Sequence, residues 1–253
     1  MELRENERID YVNDDLSLIQ NTEGLTFGTD ALLLAAYMPG GYKTGAELGG
    51  GTGIVSMLIA TRGKVGEILC IEVQEEYALL AERNFEYNGL EGRIKSLHAD
   101  LREVKAEDLD TVFTNPPYMK ADSGYLNRSG GKRAARHEEN GTIEDFCAGA
   151  ARMLRWGGDF YAVYRPDRLA DLIAAMRASG IEPKRMTAVH ADPDATPSMI
   201  LVEGKRGGRS GMKMTKPLII YRDKAHKEYG TDMEYIMENG SFPDAFMARR
   251  AKK

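Results

Sequence analysis

Short apolar runs alternate with longer segments of helical periodicity between residues 30 and 180. Strands are predicted at 45–48, 67–72, 93–97, 111–114 and 159–164, and helices at 30–38, 54–62, 75–87, 142–156 and 166–179. Thr29 is placed to cap the first of these helices, and Trp156 is expected to pack in the core. Because strands that alternate with helices pair in parallel through right-handed crossovers, the pattern predicts one sheet with helices on both faces.

The alternation ends near residue 180. Residues 185–190 and 199–203 are strand-like, and the connection between them is too short for a crossover helix, so they are expected to pair antiparallel. Two smaller features, a hairpin within 9–20 and a last helix capped by Thr231, lie outside this core. The fold class predicted is α/β and Rossmann-like, with a mostly parallel seven-stranded sheet closed by an antiparallel hairpin.

The composition is that of a globular protein: 42% of the 253 residues are hydrophobic and 29% are charged. No apolar run approaches the length of a membrane span, and the N-terminus lacks the apolar region of a secretory signal. Cys70 and Cys147 lie in apolar segments, which fits two buried thiols in a reducing compartment. We therefore expect a cytoplasmic protein with no membrane contact, no metal site and no stable protein partner.

The charge is unevenly distributed. The net charge is -5, yet residues 201–253 carry 12 Lys and Arg against 7 Asp and Glu, a difference of +5. A second basic cluster extends from Lys120 to Arg136 and contains one acidic residue, Asp122. Such clusters can contact phosphates, and a solvated loop accounts equally well for any one of these residues.

A glycine-rich loop follows the first predicted strand of the sheet. It extends from Glu47 to Gly53 and opens a helix, a context in which glycines let the backbone approach a nucleotide-like ligand. Glu72 follows Gly53 by 19 residues, the spacing at which a carboxylate on the next strand reaches ribose hydroxyls. Asp100 follows the strand predicted at 93–97, and its carboxylate can accept a hydrogen bond from an adenine amino group. Capping of helices or loops would explain Glu47 or Asp100 singly, but not all three acids together.

The strand at 111–114 ends in the tetrapeptide Asn115-Pro116-Pro117-Tyr118. The two prolines fix the backbone, so the Asn115 side chain and the Pro116 carbonyl project rigidly from the sheet edge. These two acceptors can hold both N–H groups of an exocyclic amine or an amide, so that its lone pair faces an incoming methyl group. Tyr118 can stack on the planar substrate.

The glycine loop together with Asn-Pro-Pro-Tyr resembles the class I S-adenosylmethionine-dependent amino-methyltransferases. Four further segments, 27–34, 135–138, 201–208 and 217–221, are similar to the bacterial tRNA1(Val) (adenine37-N6)-methyltransferase group. The resemblance covers nearly the whole chain, and it implies a single methyltransferase domain over 1–253. Within it, 1–40 would cap the domain, 41–204 would form the cofactor-binding core, and 205–253 would be a basic extension.

The resemblance also implies roles for individual residues. The cofactor backbone would lie against Gly49, Gly51 and Gly53, with Glu47 at its methionine end, Glu72 at its ribose and Asp100 at its adenine. Residues 115–118 would be catalytic and hold the target adenine, with Asn115 also near the cofactor. The implied cofactor is S-adenosylmethionine, which leaves as S-adenosylhomocysteine. The implied partner is a tRNA whose unpaired anticodon-loop base can enter a pocket.

RNA binding needs local cations on a chain that is acidic as a whole. Two basic loops are therefore expected to flank the pocket and contact phosphates. The residues proposed for these contacts are Lys132, Arg133, Arg136, His137, Lys205, Arg206, Arg209 and Lys213. Structural hydrogen bonding explains His137 equally well. Thr29 and Asp30 lie on the segment that leads into the glycine strand and could line the cofactor pocket, and helix capping explains them equally well.

Three other functions remain open on the sequence. A glutamine N5-methyltransferase acting on release factors uses the same tetrapeptide, but that group usually carries an extra N-terminal helical domain. A nicotinamide-dependent oxidoreductase would explain the glycine loop and Glu72, but it would give Asn115 no function. A noncatalytic RNA-binding relative would not need the intact tetrapeptide.

Overall fold

The computed structural model describes residues 3–22, 27–117 and 141–247. The strands are β1 (Glu7–Asn13), β2 (Leu16–Asn21), β3 (Tyr42–Leu48), β4 (Val65–Glu72), β5 (Ile94–His98), β6 (Leu109–Thr114), β7 (Leu154–Tyr164), β8 (Ile181–His190), β9 (Pro197–Arg206), β10 (Lys213–Met214) and β11 (Leu218–Ile219). The helices are α1 (Thr29–Tyr37), α2 (Ile54–Thr61), α3 (Glu75–Tyr87), α4 (Ile143–Met153), α5 (Leu169–Ala178) and α6 (Thr231–Asn239).

The main sheet has the strand order β10-β8-β9-β7-β6-β3-β4-β5, and β11 also pairs with β8. Strands β3 to β7 pair in parallel, whereas β9 runs antiparallel to both β7 and β8. The predicted mostly parallel sheet closed by an antiparallel hairpin is confirmed. Its seven predicted strands correspond to β3 to β9. The two-residue strands β10 and β11 raise the total to nine.

Alternating side chains give the sheet two buried faces. Phe113 and Tyr161 pack with α1 and α2 in one hydrophobic cluster, whereas their strand neighbours Val112 and Phe160 pack with α4 and α5 in the other. The helices therefore cover both faces, as the alternation of strands and helices predicts.

The strand order reverses at β3. This strand has β4 on one side and β6 on the other, so the loops that follow β3 and β6 separate at the carboxyl edge of the sheet. In open α/β sheets a crevice forms at such a position.

The strands β1 and β2 form a separate antiparallel hairpin that is held against α3. Asn84 on α3 accepts from the backbone N–H of Ile19 at 2.7 Å and donates to the Ile19 carbonyl at 3.0 Å. The same Nδ2 donates to the carbonyl of Thr52 in the glycine loop at 3.0 Å. The predicted hairpin is thus connected through one buried amide to the loop that borders the crevice.

Three local expectations were wrong. Gly28 and Gly230, rather than Thr29 and Thr231, are the cap residues of α1 and α6. Trp156 is 76% exposed, because β7 begins immediately after α4 and its register with β6 shifts at this end.

Candidate active site

A cleft lies at the carboxyl edge of β3, β4, β5 and β6. Its walls come from the loops after these four strands and from the beginning of α4. The lining residues are Gly49, Gly51, Ile71, Glu72, Val73, Gln74, Tyr77, Ala99, Asp100, Leu101, Asn115, Pro117, Gly141 and Phe146.

The glycine loop turns over the end of β4. The backbone N–H groups of Gly49 and Gly50 both donate to the Ile71 carbonyl, at 2.9 and 3.0 Å. Gly51 has a φ of +54°, and a Cβ built there would meet no described atom within 4 Å. The Gly51 backbone is therefore open on the cleft side, where a ligand can approach it closely.

Gly53 is required for a different reason. It is the cap residue of α2 with a φ of +80°, and a Cβ there would lie 2.4 Å from Cε1 of Phe85 on α3. Its absence from the cleft lining shows that this glycine serves helix packing rather than direct exposure to the cleft.

Glu72 connects two walls of the cleft. It is 5% exposed, and its carboxylate accepts from the backbone N–H groups of Gly51 and Gln74, each at 2.9 Å. One side chain at the end of β4 thus positions both the glycine loop and the turn before α3.

Glu47 lies beneath the loop and is absent from the cleft lining. It is 1% exposed, and its Oε2 accepts from the backbone N–H of Ser56 at 3.0 Å and from the Ser56 hydroxyl at 2.5 Å. Burial raises the pKa of Glu47 to about 8, although the two Ser56 donors oppose this. In the structure Glu47 connects β3 to α2 from beneath the loop. Its motif suggests instead that the carboxylate is exposed to the cleft.

Asp100 follows β5 and lines the cleft. Its carboxylate forms a bidentate ion pair with the Arg102 guanidinium, with Nε–Oδ1 at 2.9 Å and Nη2–Oδ2 at 2.5 Å. These hydrogen bonds from Arg102 hold the pKa of Asp100 below its ordinary value. Asp100 is therefore a fixed anionic acceptor at the rim.

Asn115 is positioned by the end of β6 and by α1. Its Nδ2 donates to Oδ2 of Asp30 at 2.9 Å. Its Oδ1 is buried and has no hydrogen-bond partner among the described residues. Pro116 is buried and Pro117 lies at the cleft, so the backbone after Asn115 is anchored as two prolines predict. The site therefore presents an orphan acceptor beside an open glycine loop.

The family follows from the sequence that surrounds this cleft. Residues 21–173, more than half of the chain, match the family model described as the methyltransferase small domain. This chain belongs to the methyltransferase small domain family.

Several curated relatives of this methyltransferase carry the same name. Two proteins named tRNA1(Val) (adenine(37)-N6)-methyltransferase, from Tolumonas auensis and Bacteroides fragilis, are 26% and 28% identical over 185 and 182 residues. The matches cover 72% and 69% of this chain and 77% and 75% of those proteins. They confirm the resemblance that the sequence motifs indicate.

Solved structures share the fold. A predicted O-methyltransferase from Agrobacterium tumefaciens is 24% identical, with a TM-score of 0.69 over 85% of this chain and 98% of that one. The TYW2 protein of M. jannaschii, solved in complex with AdoMet, is 14% identical, with a TM-score of 0.55 over 81% of this chain and 88% of that one. At these identities the likeness shows the Rossmann-like fold alone.

Tyr118, predicted to be catalytic, lies outside the described residues. The expected RNA contacts of the methyltransferase divide into two groups, and the first of them, Lys132, Arg133, Arg136 and His137, also lies outside the described residues. The second group does not flank the cleft as the sequence suggested. Lys205 pairs with Asp159 in the middle of β7. It lies near the end of β9, which runs antiparallel to β7 and so ends toward the sheet edge opposite the cleft.

The rest of the second basic loop follows Lys205 away from the cleft. Arg206 donates to the Leu154 carbonyl, and the Arg209 carbonyl accepts from Lys184 near the beginning of β8. Lys213 is exposed on β10, beside Arg185 midway along β8.

Several lining residues were not identified from the sequence. Val73, Gln74 and Tyr77 follow Glu72 directly, and Ala99 and Leu101 flank Asp100, so proximity to the acids could have indicated them. Phe146 comes from the first turn of α4, and only the packing of this helix on the sheet brings it to the cleft. Thr29 and Asp30, expected at the pocket, are not among the lining residues, and Asp30 reaches the site only through its contact with Asn115.

Proposed function

We propose that this methyltransferase transfers the methyl group of S-adenosylmethionine to N6 of an adenine in tRNA, at position 37 of the anticodon loop. One observation carries the proposal: the Asn115 carboxamide oxygen is a buried acceptor without a described partner, on the cleft that the glycine loop borders. The names of the relatives support the choice of tRNA and of adenine 37.

The chemistry of the cleft lining supports binding of the cofactor. The open backbone of Gly51, with Gly49 beside it, would lie along the cofactor chain, and Glu72 would accept from its ribose hydroxyls. Asp100 would accept from its adenine amine, with apolar side chains such as Phe146 against the ring. Glu47 and Gly53 would act indirectly by holding α2 under the loop.

The bound cofactor supplies a methyl group on a sulfonium, which is an electrophilic carbon with a neutral leaving group. The Asn115 oxygen and the Pro116 carbonyl would accept the two N–H groups of the exocyclic amine and direct its lone pair. The nitrogen would bond to the methyl carbon as the carbon–sulfur bond broke, with S-adenosylhomocysteine as the leaving group, and the cationic amine would then lose its proton to water. The residues of this chain would therefore supply hydrogen-bond acceptors and would not need to supply a strong base. Tyr118 would stack on the adenine.

The RNA contacts are proposed for the segment after Pro117. Both Pro117 and Gly141 line the cleft, so the chain between them leaves from and returns to this site. Residues 118–140 contain five Lys and Arg against three Asp and Glu. Lys132, Arg133, Arg136 and His137 are therefore better placed along the chain to contact phosphates near the target base than Lys205 or Arg206.

The deciding experiment identifies the methylated atom. The protein is incubated with radiolabelled S-adenosylmethionine and with unmodified tRNA, and digested nucleosides are separated by liquid chromatography and mass spectrometry. Labelled N6-methyladenosine is expected, and Asn115→Ala should abolish it while leaving S-adenosylhomocysteine affinity nearly intact. A parallel reaction contains a release factor, since the same acceptors would hold a glutamine amide. Label on glutamine instead of adenosine would overturn the proposal.

A further inference from the structure

Asp30 approaches Asn115 from the first turn of α1, across 85 positions of sequence. Its Oδ2 accepts from Nδ2 of Asn115 at 2.9 Å, and its Oδ1 accepts from the backbone N–H of Ala31 at 3.0 Å. An ionised carboxylate can only accept, so the amide atom that faces Asp30 must be the nitrogen. The oxygen of Asn115 consequently points away from Asp30.

From this contact we infer that Asp30 is a positioning residue, which fixes the orientation of the Asn115 amide and so keeps its oxygen available to the target amine. The inference rests on the proposed function. It adds a group outside the Asn-Pro-Pro-Tyr motif, on the helix that precedes the first strand of the main sheet.

The orientation of this amide needs a separate determinant. Pro116 and Pro117 restrict the backbone, but the terminal torsion of an asparagine side chain is broad and roughly two-fold. A half-turn exchanges the amide oxygen for the amide nitrogen. The site would then present N–H groups to the N–H groups of the substrate, and one of the two acceptors would be lost.

The start of α1 alone does not explain this use of Asp30. The α6 helix begins with the same three residues, since Gly230, Thr231 and Asp232 correspond to Gly28, Thr29 and Asp30. Asp232 pairs with Nζ of Lys216 at 2.6 Å, whereas Asp30 faces Asn115. The two helix starts are locally equivalent, so the contact with Asn115 reflects the tertiary position of Asp30.

The backbone around Asp30 is adapted to this arrangement. A Cβ at Gly28 would lie 2.5 Å from Oδ1 of Asp30, so a side chain at Gly28 would displace the carboxylate. A glycine at this position therefore leaves the space that the carboxylate occupies while it contacts both Ala31 and Asn115.

The test compares Asp30→Ala and Asp30→Asn, with Asp232→Ala as the matched control for loss of a first-turn acid. Steady-state methylation of tRNA gives kcat and KM, and calorimetry gives the dissociation constant of S-adenosylhomocysteine. Asp30→Ala should lower kcat by roughly 100-fold, because the reacting group is no longer oriented. Its S-adenosylhomocysteine affinity and its KM for tRNA should change by less than about threefold.

Asp30→Asn separates orientation from charge. The new amide oxygen can still accept a hydrogen bond from Asn115 although the negative charge is gone. The kcat of this variant should therefore be at least roughly tenfold higher than that of Asp30→Ala. An equal loss in both variants would overturn the inference in favour of an electrostatic role. Native kcat in Asp30→Ala, or the same loss in Asp232→Ala, would also overturn it.

A spectroscopic measurement provides a readout independent of turnover. With ¹⁵N-labelled asparagine, the side-chain amide of Asn115 is assigned by its loss in Asn115→Ala. Its resonance should be sharp and slow to exchange in the native protein and in Asp30→Asn, and should broaden or shift in Asp30→Ala. Should Asp30→Ala lose cofactor affinity, Asp30→Ser repeats the test with a polar helix start. Failure of the proposed function is distinct, since the native protein itself would then produce no N6-methyladenosine.

Discussion

The carboxylate of Glu72 accepts a hydrogen bond from the backbone N–H of Gly51 at 2.9 Å, which ties the last residue of β4 to the open part of the glycine loop. The other carboxylate oxygen accepts from Gln74 at the same distance. Two loops that border the cofactor cleft are therefore held by one side chain. The position of the loop and the binding of ribose would depend on the same residue.

Replacement of Glu72 by alanine should weaken cofactor binding before it affects folding. The variant leaves the N–H groups of Gly51 and Gln74 without their acceptor and removes the group proposed to hold the ribose. The expected cost is about 2 kcal/mol, which corresponds to roughly a 30-fold higher dissociation constant for S-adenosylhomocysteine by calorimetry. Glu67→Ala, at the exposed opposite end of β4, is the control. Equal affinities in the two variants would contradict this role.

Glu47→Gln should change how stability depends on pH. Burial raises the pKa of Glu47 to about 8 from 4.5, so the folded state holds a proton that the unfolded state has released between these values. The free energy of unfolding of the native protein should therefore fall, relative to Glu47→Gln, as pH rises from 4.5 to 8. The nearby charge of Glu72 acts in the same direction.

The measurement is urea unfolding of both proteins at several pH values. A relative change of about 2 to 4 kcal/mol is expected across this range, and it should level off above pH 8 as the folded state also loses the proton. A difference that stays constant with pH would show that Glu47 is ionised in the folded state throughout.

Lys64 should be a large contributor to stability. Its buried Nζ donates to the carbonyls of Ala35, Ala36 and Met38 at the end of α1, at 2.7, 3.2 and 2.8 Å, and burial lowers the pKa of Lys64 to about 7. Lys64→Met keeps much of the volume but leaves three carbonyls without this donor. The expected loss is about 3 kcal/mol in urea unfolding at neutral pH. Lys43→Met, at an exposed site on β3, should remain within about 0.5 kcal/mol of the native protein.

Charge reversal should distinguish the two basic clusters. Lys132→Glu with Arg133→Glu and Arg136→Glu should weaken tRNA binding by at least about tenfold at moderate salt, with unchanged S-adenosylhomocysteine affinity. Arg209→Glu, near the beginning of β8 and away from the cleft, should have a much smaller effect. Filter binding at several salt concentrations measures both. A larger loss of tRNA affinity in Arg209→Glu than in the triple variant would indicate that RNA binds at the opposite edge of the sheet.

Much of the fold follows from local sequence. The predicted helix at 75–87 has the bounds of α3, because acidic residues open it and Asn88-Gly89 ends it. The helix predicted from residue 142 is capped there, because Thr142 and Asp145 form a capping box. The error at Trp156 has a physical cause, since helical periodicity no longer applies where β7 begins.

The sequence by itself determined the order of strands and helices, the glycine loop and the rigid end of β6, because periodicity and proline or glycine content act over a few residues. Only the tertiary structure decided which acids reach the cleft. Glu47 and Glu72 both lie near strand ends, yet Glu47 is turned under the loop toward Ser56. The contact between Asp30 and Asn115 depends on how α1 packs against the sheet, which no local pattern encodes.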